Sequence, residues 1–149
     1  MAQIDLRDSR LEEVRSVLRR YVPGDAVERL TMYIATRGVH LRITRPRVSK
    51  LGDYRSPRRG QNYHVISVNG DLSEPFFLLV LLHEMGHLEN WCANGNRVQP
   101  HGREWQVYYR EKIVEYRDCF PEETLALVDE YVGRIPLSGA AGRRLETAL

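Results

Sequence analysis

Two histidines and a glutamate fall within the pentapeptide His83-Glu84-Met85-Gly86-His87. Residues four apart in an α-helix lie one turn from each other on the same face, so both imidazoles can turn towards one metal ion. Glu84 lies beside them, where its carboxylate can take a proton from a water acidified by that metal. This is the H-E-x-x-H spacing of zinc-dependent hydrolases. Zinc lowers the pKa of a bound water to about 7. Glu84 would serve as general base towards it and later return the proton to a leaving amine. The neighbours of Glu84 are apolar, which argues against an ordinary surface carboxylate.

Catalytic zinc takes three protein ligands and keeps a fourth position open, so a third donor is required. Downstream, His101 stands in Pro100-His101-Gly102-Arg103-Glu104-Trp105, where Gly102 lets the backbone turn tightly. Glu104 is its rival, since a glutamate on the following helix can also complete such a site. His40 and His64 fall in strand-like segments and are weaker candidates. The metzincin pattern is excluded, because Leu88-Glu89-Asn90-Trp91-Cys92-Ala93 after His87 supplies neither the required glycine nor the third histidine.

The elements that must position these groups follow from hydrophobic periodicity. Helices are predicted over 10–21 with Ser9 as cap, and over 25–36, ending at Gly38. Residues 39–44 alternate as a half-buried strand, 50–55 contain a short strand within a Pro- and Gly-bearing loop, and 64–69 form a second clear strand. In that last strand Val65 and Ser67 are expected to oppose Ile66 and Val68, and Asn69-Gly70-Asp71 reads as a turn. Ser73 is placed to cap a helix over 74–92 that is apolar nearly all round from 76 to 82, hence packed on several sides. Further helices are predicted over about 103–117 and 121–132, with 134–149 as a mobile tail.

The length of 149 residues suits one domain with its own core. A net charge of +2 neither requires nor excludes nucleic acid. Cys92 and Cys119 form no C-x-x-C pair, so a cysteine zinc ribbon and a redox motif are excluded, and two reduced thiols suit a reducing cytosol. The first eight residues carry no apolar signal segment, and the run 76–82 is too short to span a bilayer. The expected setting is cytoplasmic, without membrane association.

Four segments together carry a more specific likeness: Lys50-Leu51-Gly52-Asp53-Tyr54-Arg55, His64-Val65-Ile66-Ser67-Val68-Asn69, the His83–His87 pentapeptide, and His101-Gly102-Arg103-Glu104-Trp105. In this order, across roughly residues 37–109, the chain resembles the SprT-like family of zinc metallopeptidases, which includes the Spartan-type proteases that degrade proteins crosslinked to DNA. The resemblance implies a single zincin-like α+β domain over 1–149, with its core at about 37–132 and a small sheet packed on the H-E-x-x-H helix. It implies zinc held by His83, His87 and His101, with Glu84 as the catalytic acid/base, and it favours His101 over Glu104. It implies a protein or peptide as substrate. The C-terminal cysteine zinc ribbon of many members and the partner-binding tails of the Spartan type are not found in these residues, so the likeness extends to the peptidase core and not to a DNA-repair role.

Between Arg37 and Arg59 eight cations face a single acid, Asp53. Arg45, Arg47, Arg58 and Arg59 could follow a phosphate backbone near the active site, which makes DNA a candidate partner; a solvated, aggregation-resistant edge explains them equally well. Tyr54 and Arg55 could face the cleft and polarise a carbonyl, although Tyr54 also suits the core. Asn90, one turn beyond His87, could orient a ligand histidine. Two alternatives compete with the peptidase reading. One is a regulatory metallopeptidase of the ImmA/IrrE type, which the His101-Gly102 segment disfavours. The other is a zinc-stabilised DNA- or protein-binding module without turnover, which would not need Glu84.

Overall fold

The computed structural model describes residues 9–132. The readings of residues 1–8 as lacking a signal segment and of 134–149 as a mobile tail lie outside them. Helices α1 (Ser9–Tyr21) and α2 (Gly24–Arg37) lead into strands β1 (Val39–Thr44), β2 (Gly52–Arg55) and β3 (His64–Asn69). Helices α3 (Glu74–Asn94), α4 (Arg103–Tyr116) and α5 (Leu125–Val132) follow, with 3-10 turns at Arg117–Cys119 and Glu122–Thr124. The described residues thus form an α+β structure of five α-helices and one three-stranded sheet. Some bounds differ from the sequence reading. Ser9 is already helical, and the segment predicted as one helix over 121–132 begins instead with a 3-10 turn. Ahead of α5, the chain leaves α4 through another such turn at Arg117–Cys119.

The sheet has the order β1-β3-β2. β1 runs parallel to β3, from Val39 opposite His64 to Thr44 opposite Asn69. β2 runs antiparallel to β3, from Gly52 opposite Val68 to Arg55 opposite Val65. Side chains alternate across a strand, so Gly52, Tyr54, His64, Ile66 and Val68 share the face turned to α3. Asp53, Arg55, Val65, Ser67, His40 and Arg42 share the other. The alternation expected for β3 is blurred, because Ser67 and Asn69 are buried as well. The reason is the loop between β1 and β2. It folds back over the outer face, and Arg47 donates from Nη1 to Ser67 Oγ (3.1 Å) and from Nε to Asn69 Oδ1 (2.8 Å).

α3 is the centre of the molecule. Every residue from Phe76 to Gly86 is buried, as an all-round apolar helix requires, and β2, β3, α1 and α4 pack against it. Gly86, inside the pentapeptide, permits the close approach of α4: a Cβ there would lie 3.1 Å from Trp105 Nε1 and 3.3 Å from the Tyr109 backbone. Its missing side chain lets α4 press against the motif. The Tyr109 hydroxyl donates to Leu79 O (3.2 Å) across the same interface. Charges tie the outside of this layer together, with Glu89 of α3 paired to Arg37 of α2 and to Lys112 of α4.

Asn69, read from sequence as part of a turn, is instead a fully buried hub at the end of β3. Its Oδ1 accepts from Thr44 Oγ1 (3.1 Å) and Arg47 Nε, and its Nδ2 donates to Arg47 O (3.1 Å) and Lys50 O (3.0 Å). Its backbone N–H donates to Leu51 O (2.8 Å). One side chain therefore fixes the loop that delivers β2. Asn69→Ala leaves several buried groups without partners, each at about 1–3 kcal/mol. A loss of about 3 kcal/mol in unfolding free energy is expected by chemical denaturation; a loss under about 0.5 kcal/mol would mean that the loop does not depend on this residue.

Candidate metal centre and cleft

His83 and His87 project from one face of α3, as their spacing dictates, and His101 reaches them from the loop before α4. Their Nε2 atoms lie 3.1 Å (His83–His87), 3.0 Å (His87–His101) and 3.3 Å (His83–His101) apart. Tetrahedral zinc with bonds of about 2.0–2.1 Å needs donor atoms about 3.3 Å apart. Among the described residues these three form the group whose donor atoms converge as a metal site requires. Burial lowers the pKa of all three, to about 4 for His87 and well below the usual histidine value for His83. At neutral pH the rings are uncharged, so three converging nitrogens offer lone pairs that neighbouring N–H groups cannot all satisfy. A cation resolves that arrangement, and the residues present fit one.

Trp105 forms the floor of this group. It is fully buried, stacks on His87 (ring centroids 5.2 Å apart, 21° between planes) and meets His83 and His101 edge-on. Its Nε1 donates to His83 O (3.2 Å). Tyr109 closes the other side of the His83 ring. His83 Nδ1 is buried without a hydrogen-bond partner, so the packing of Trp105 and Tyr109, not a polar anchor, sets that ring's orientation.

Glu84 is buried, with Oε2 3.8 Å from His83 Nε2. Burial, reinforced by the charge of Asp53 and opposed by Arg47 and Lys50, holds its pKa well above the ordinary carboxylate range. A carboxyl so buried holds its proton more tightly than an exposed glutamate does.

A cleft of about 1200 Å³ opens in front of the triad. One wall is β2, with Gly52, Asp53 and Tyr54; the other is the 95–104 segment. Tyr54 lines this cleft, and its hydroxyl is hydrogen-bonded to His64 Nδ1 (2.7 Å). Arg55, one residue on, points to the outer face of the sheet and pairs with Asp53 (3.1 Å). Strand alternation thus separates two residues that the sequence reading had placed together. His64 belongs with Tyr54 and Trp91, and His40 stacks on Tyr63, so neither joins the metal group. Glu104 lines the cleft without entering the converging set. Asn90 accepts from Asn94 (2.9 Å), one turn further along α3.

Of the loop arginines, Arg47 is committed to Ser67 and Asn69, while Arg45, Arg58 and Arg59 are exposed. On the outer face, Arg42, Arg55 and Arg58 line a cavity of about 130 Å³ together with Ser56, Gln61 and Tyr63. Tyr63 and His40 stack 3.9 Å apart at its edge. Ser56 borders both this cavity and the main cleft. Of this set the sequence reading named Arg58 among its candidate nucleic-acid contacts and counted Arg42 and Arg55 in the same basic segment. The alternation of β1 and β2 gathers these last two on one face once the sheet order is known.

No helix among the described residues is long and apolar enough to cross a membrane. A model of the SprT-like family matches residues 28–123, more than half of the chain, beginning within α2 and ending in the turn before α5. No curated protein and no solved structure matches the chain.

Proposed function

This chain belongs to the SprT-like family, and from that premise we propose that it is a zinc-dependent metallopeptidase of zincin-like fold, with His83, His87 and His101 holding the metal and Glu84 as general base. The observation that carries this reading is the convergence of three neutral imidazoles on one point, beside a buried carboxylate and at the floor of an open cleft. When bound there, zinc supplies Lewis acidity towards a water and a substrate carbonyl. Glu84 takes the proton of the attacking water and passes it to the leaving amine, so one carboxyl serves as base and then acid. β2 is an edge strand whose free side faces the cleft. An extended substrate chain can add to it by main-chain hydrogen bonds, which positions a peptide bond without demanding particular side chains. Tyr54, at the cleft wall, is the candidate to orient the scissile carbonyl; Arg55 faces away and has no part in this.

DNA as a partner is a second reading, favoured by the outer-face patch. Three guanidinium groups beside a stacked aromatic pair suit the phosphates and bases of a single strand. The cleft reading is tested with an unstructured protein substrate. Cleavage should stop with a chelator and return on addition of zinc, and persistence in the chelator would exclude a metallopeptidase. Single-stranded DNA added to the same assay should accelerate cleavage of a DNA-bound substrate, and Arg42→Gln with Arg58→Gln should remove the acceleration. Equal rates with and without DNA would leave these arginines as a solvated face.

A further inference from the structure

Gly52 opens β2 directly above Glu84. A Cβ at this position would fall 2.7 Å from Val80 Cγ1, 2.8 Å from Glu84 Oε2 and 3.1 Å from Glu84 Cγ. Val80 and Glu84 stand one turn apart on α3 and are both buried. Val80 is β-branched and held near a single rotamer in a helix, so it has no easy way to yield. The Glu84 carboxylate lies against the strand and also lines the cleft, so it is the group that an added methyl would push aside. The strand cannot readily lift either. Gly52 is paired with Val68, and the two residues before it are anchored through Leu51 O and Lys50 O to Asn69. The bare α-carbon of Gly52 is therefore what lets the cleft wall rest on the carboxylate.

We propose that Gly52 is a positioning residue for Glu84: the absence of a side chain there allows β2 to clamp the carboxylate from above, holding its oxygen beside the histidine triad and in line with the strand that takes the substrate. The proposal rests on the peptidase reading, in which Glu84 is the proton carrier. It makes the wall and the base one rigid unit, so the register of a bound peptide and the place of the proton acceptor are set by the same contact. Main-chain spacing in β2 then fixes which peptide bond of an added strand meets Glu84.

The test uses the full chain loaded with zinc, as wild type, Gly52→Ala, the double variant Gly52→Ala/Val80→Ala, and Glu84→Gln. The double variant removes the Val80 conflict, so it folds even where the single variant does not, and it leaves the new methyl against Glu84 alone. Stoichiometric zinc, KM within about threefold of wild type and kcat lowered about 10²-fold are expected for both Gly52 variants, within the range general-base assistance is worth. A crystal structure of the double variant should show the Glu84 carboxylate displaced from its place beside His83. A carboxylate that superimposes on the wild type, or kcat per bound zinc at the wild-type level, would overturn the proposal. A fall in thermal stability with kcat per bound zinc unchanged would make Gly52 a folding residue only, and would overturn it too. Wild-type turnover in Glu84→Gln would instead take Glu84 out of the mechanism, and absence of zinc-dependent hydrolysis in the wild type would overturn the peptidase reading, while the position of the carboxylate in the double variant still decides whether Gly52 sets it.

Discussion

Glu84→Gln should retain one zinc and an unchanged fold while losing hydrolysis by about 10²–10⁴-fold, the worth of a positioned general base. The amide has nearly the same shape as the carboxyl, so the packing of Gly52 and Val80 against this side chain is preserved. What disappears is the capacity to accept a proton. Burial makes the case cleaner. The native carboxyl is held well above its ordinary pKa, so the isolated cost of keeping a charge there is removed by the substitution, and the variant should be at least as stable as the wild type. Loss of activity accompanied by equal or greater thermal stability separates a chemical role from a structural one. A variant that turns over substrate at near wild-type rates would take Glu84 out of the mechanism, whereas absence of hydrolysis in the zinc-loaded wild type, with binding retained in both proteins, would favour a zinc-stabilised binding module.

His101→Ala should lower zinc affinity by more than the roughly 10–100-fold that follows loss of a supporting group outside the ligand set, and leave the metal-free fold nearly intact. His101 sits on an exposed loop, whereas His83 lies in the core of α3. Its removal therefore costs little packing, and the zinc-induced rise in melting temperature should vanish with no change in the melting temperature of the metal-free protein. Glu104→Ala should leave the affinity as it is; the reverse pattern would move the third ligand to Glu104. Zinc retention should also depend on pH in a defined direction. Protons compete for the same ring nitrogens, and the ligand form of each ring exists above its folded pKa. With His87 held at about 4 and the other two rings also lowered, zinc should be kept well below pH 6.5 and lost only as pH falls further. In the metal-free protein the same shifts reduce stability as pH falls from about 6.5 towards 4, because unfolded imidazoles take up protons that the buried ones refuse.

The parts of the molecule legible in the sequence are those whose information is local. The His83-Glu84-Met85-Gly86-His87 spacing and the apolar run before it define a buried helix with two histidines on one face, and α3 has both features. His101 was reachable because it is the one histidine after His87 and it adjoins a glycine. The sheet was less legible, since alternation assigns faces within a strand and says nothing of the strand's neighbours. The parallel pairing of β1 with β3, and the place of β2 on the far side, depend on contacts across some twenty residues of chain. Tyr54 and Arg55 were grouped together, although alternation within their one strand already sets them on opposite faces. Asn69 and Gly52 illustrate the same limit. Asparagine between periodic segments reads as a turn residue, and the buried role of Asn69 arises only when the 45–51 loop folds back over the sheet; Gly52, read within a short strand, shows its closeness to Glu84 only once β2 is docked on α3. Arg47 was counted among solvent cations for the same reason; its partners Ser67 and Asn69 are remote in sequence.

The continuous burial of α3 from Phe76 to Gly86 has a kinetic consequence. Backbone amides near His83 and His87 lie in the best-packed element of the fold, so their hydrogen exchange should proceed only through the largest and rarest opening motions. The residues 95–102 that carry His101 are mostly exposed, and their internal main-chain bonds are few, among them Gly102 N–H to Gln99 O (3.1 Å) and Arg97 N–H to Asn94 O (3.3 Å). This segment can open while the helix stays closed. Exchange of an ion held by the triad would then follow excursions of one short loop, with His83 and His87 staying in place as a waiting half-site. A metal bound there could be surrendered and recovered without passage through an unfolded state.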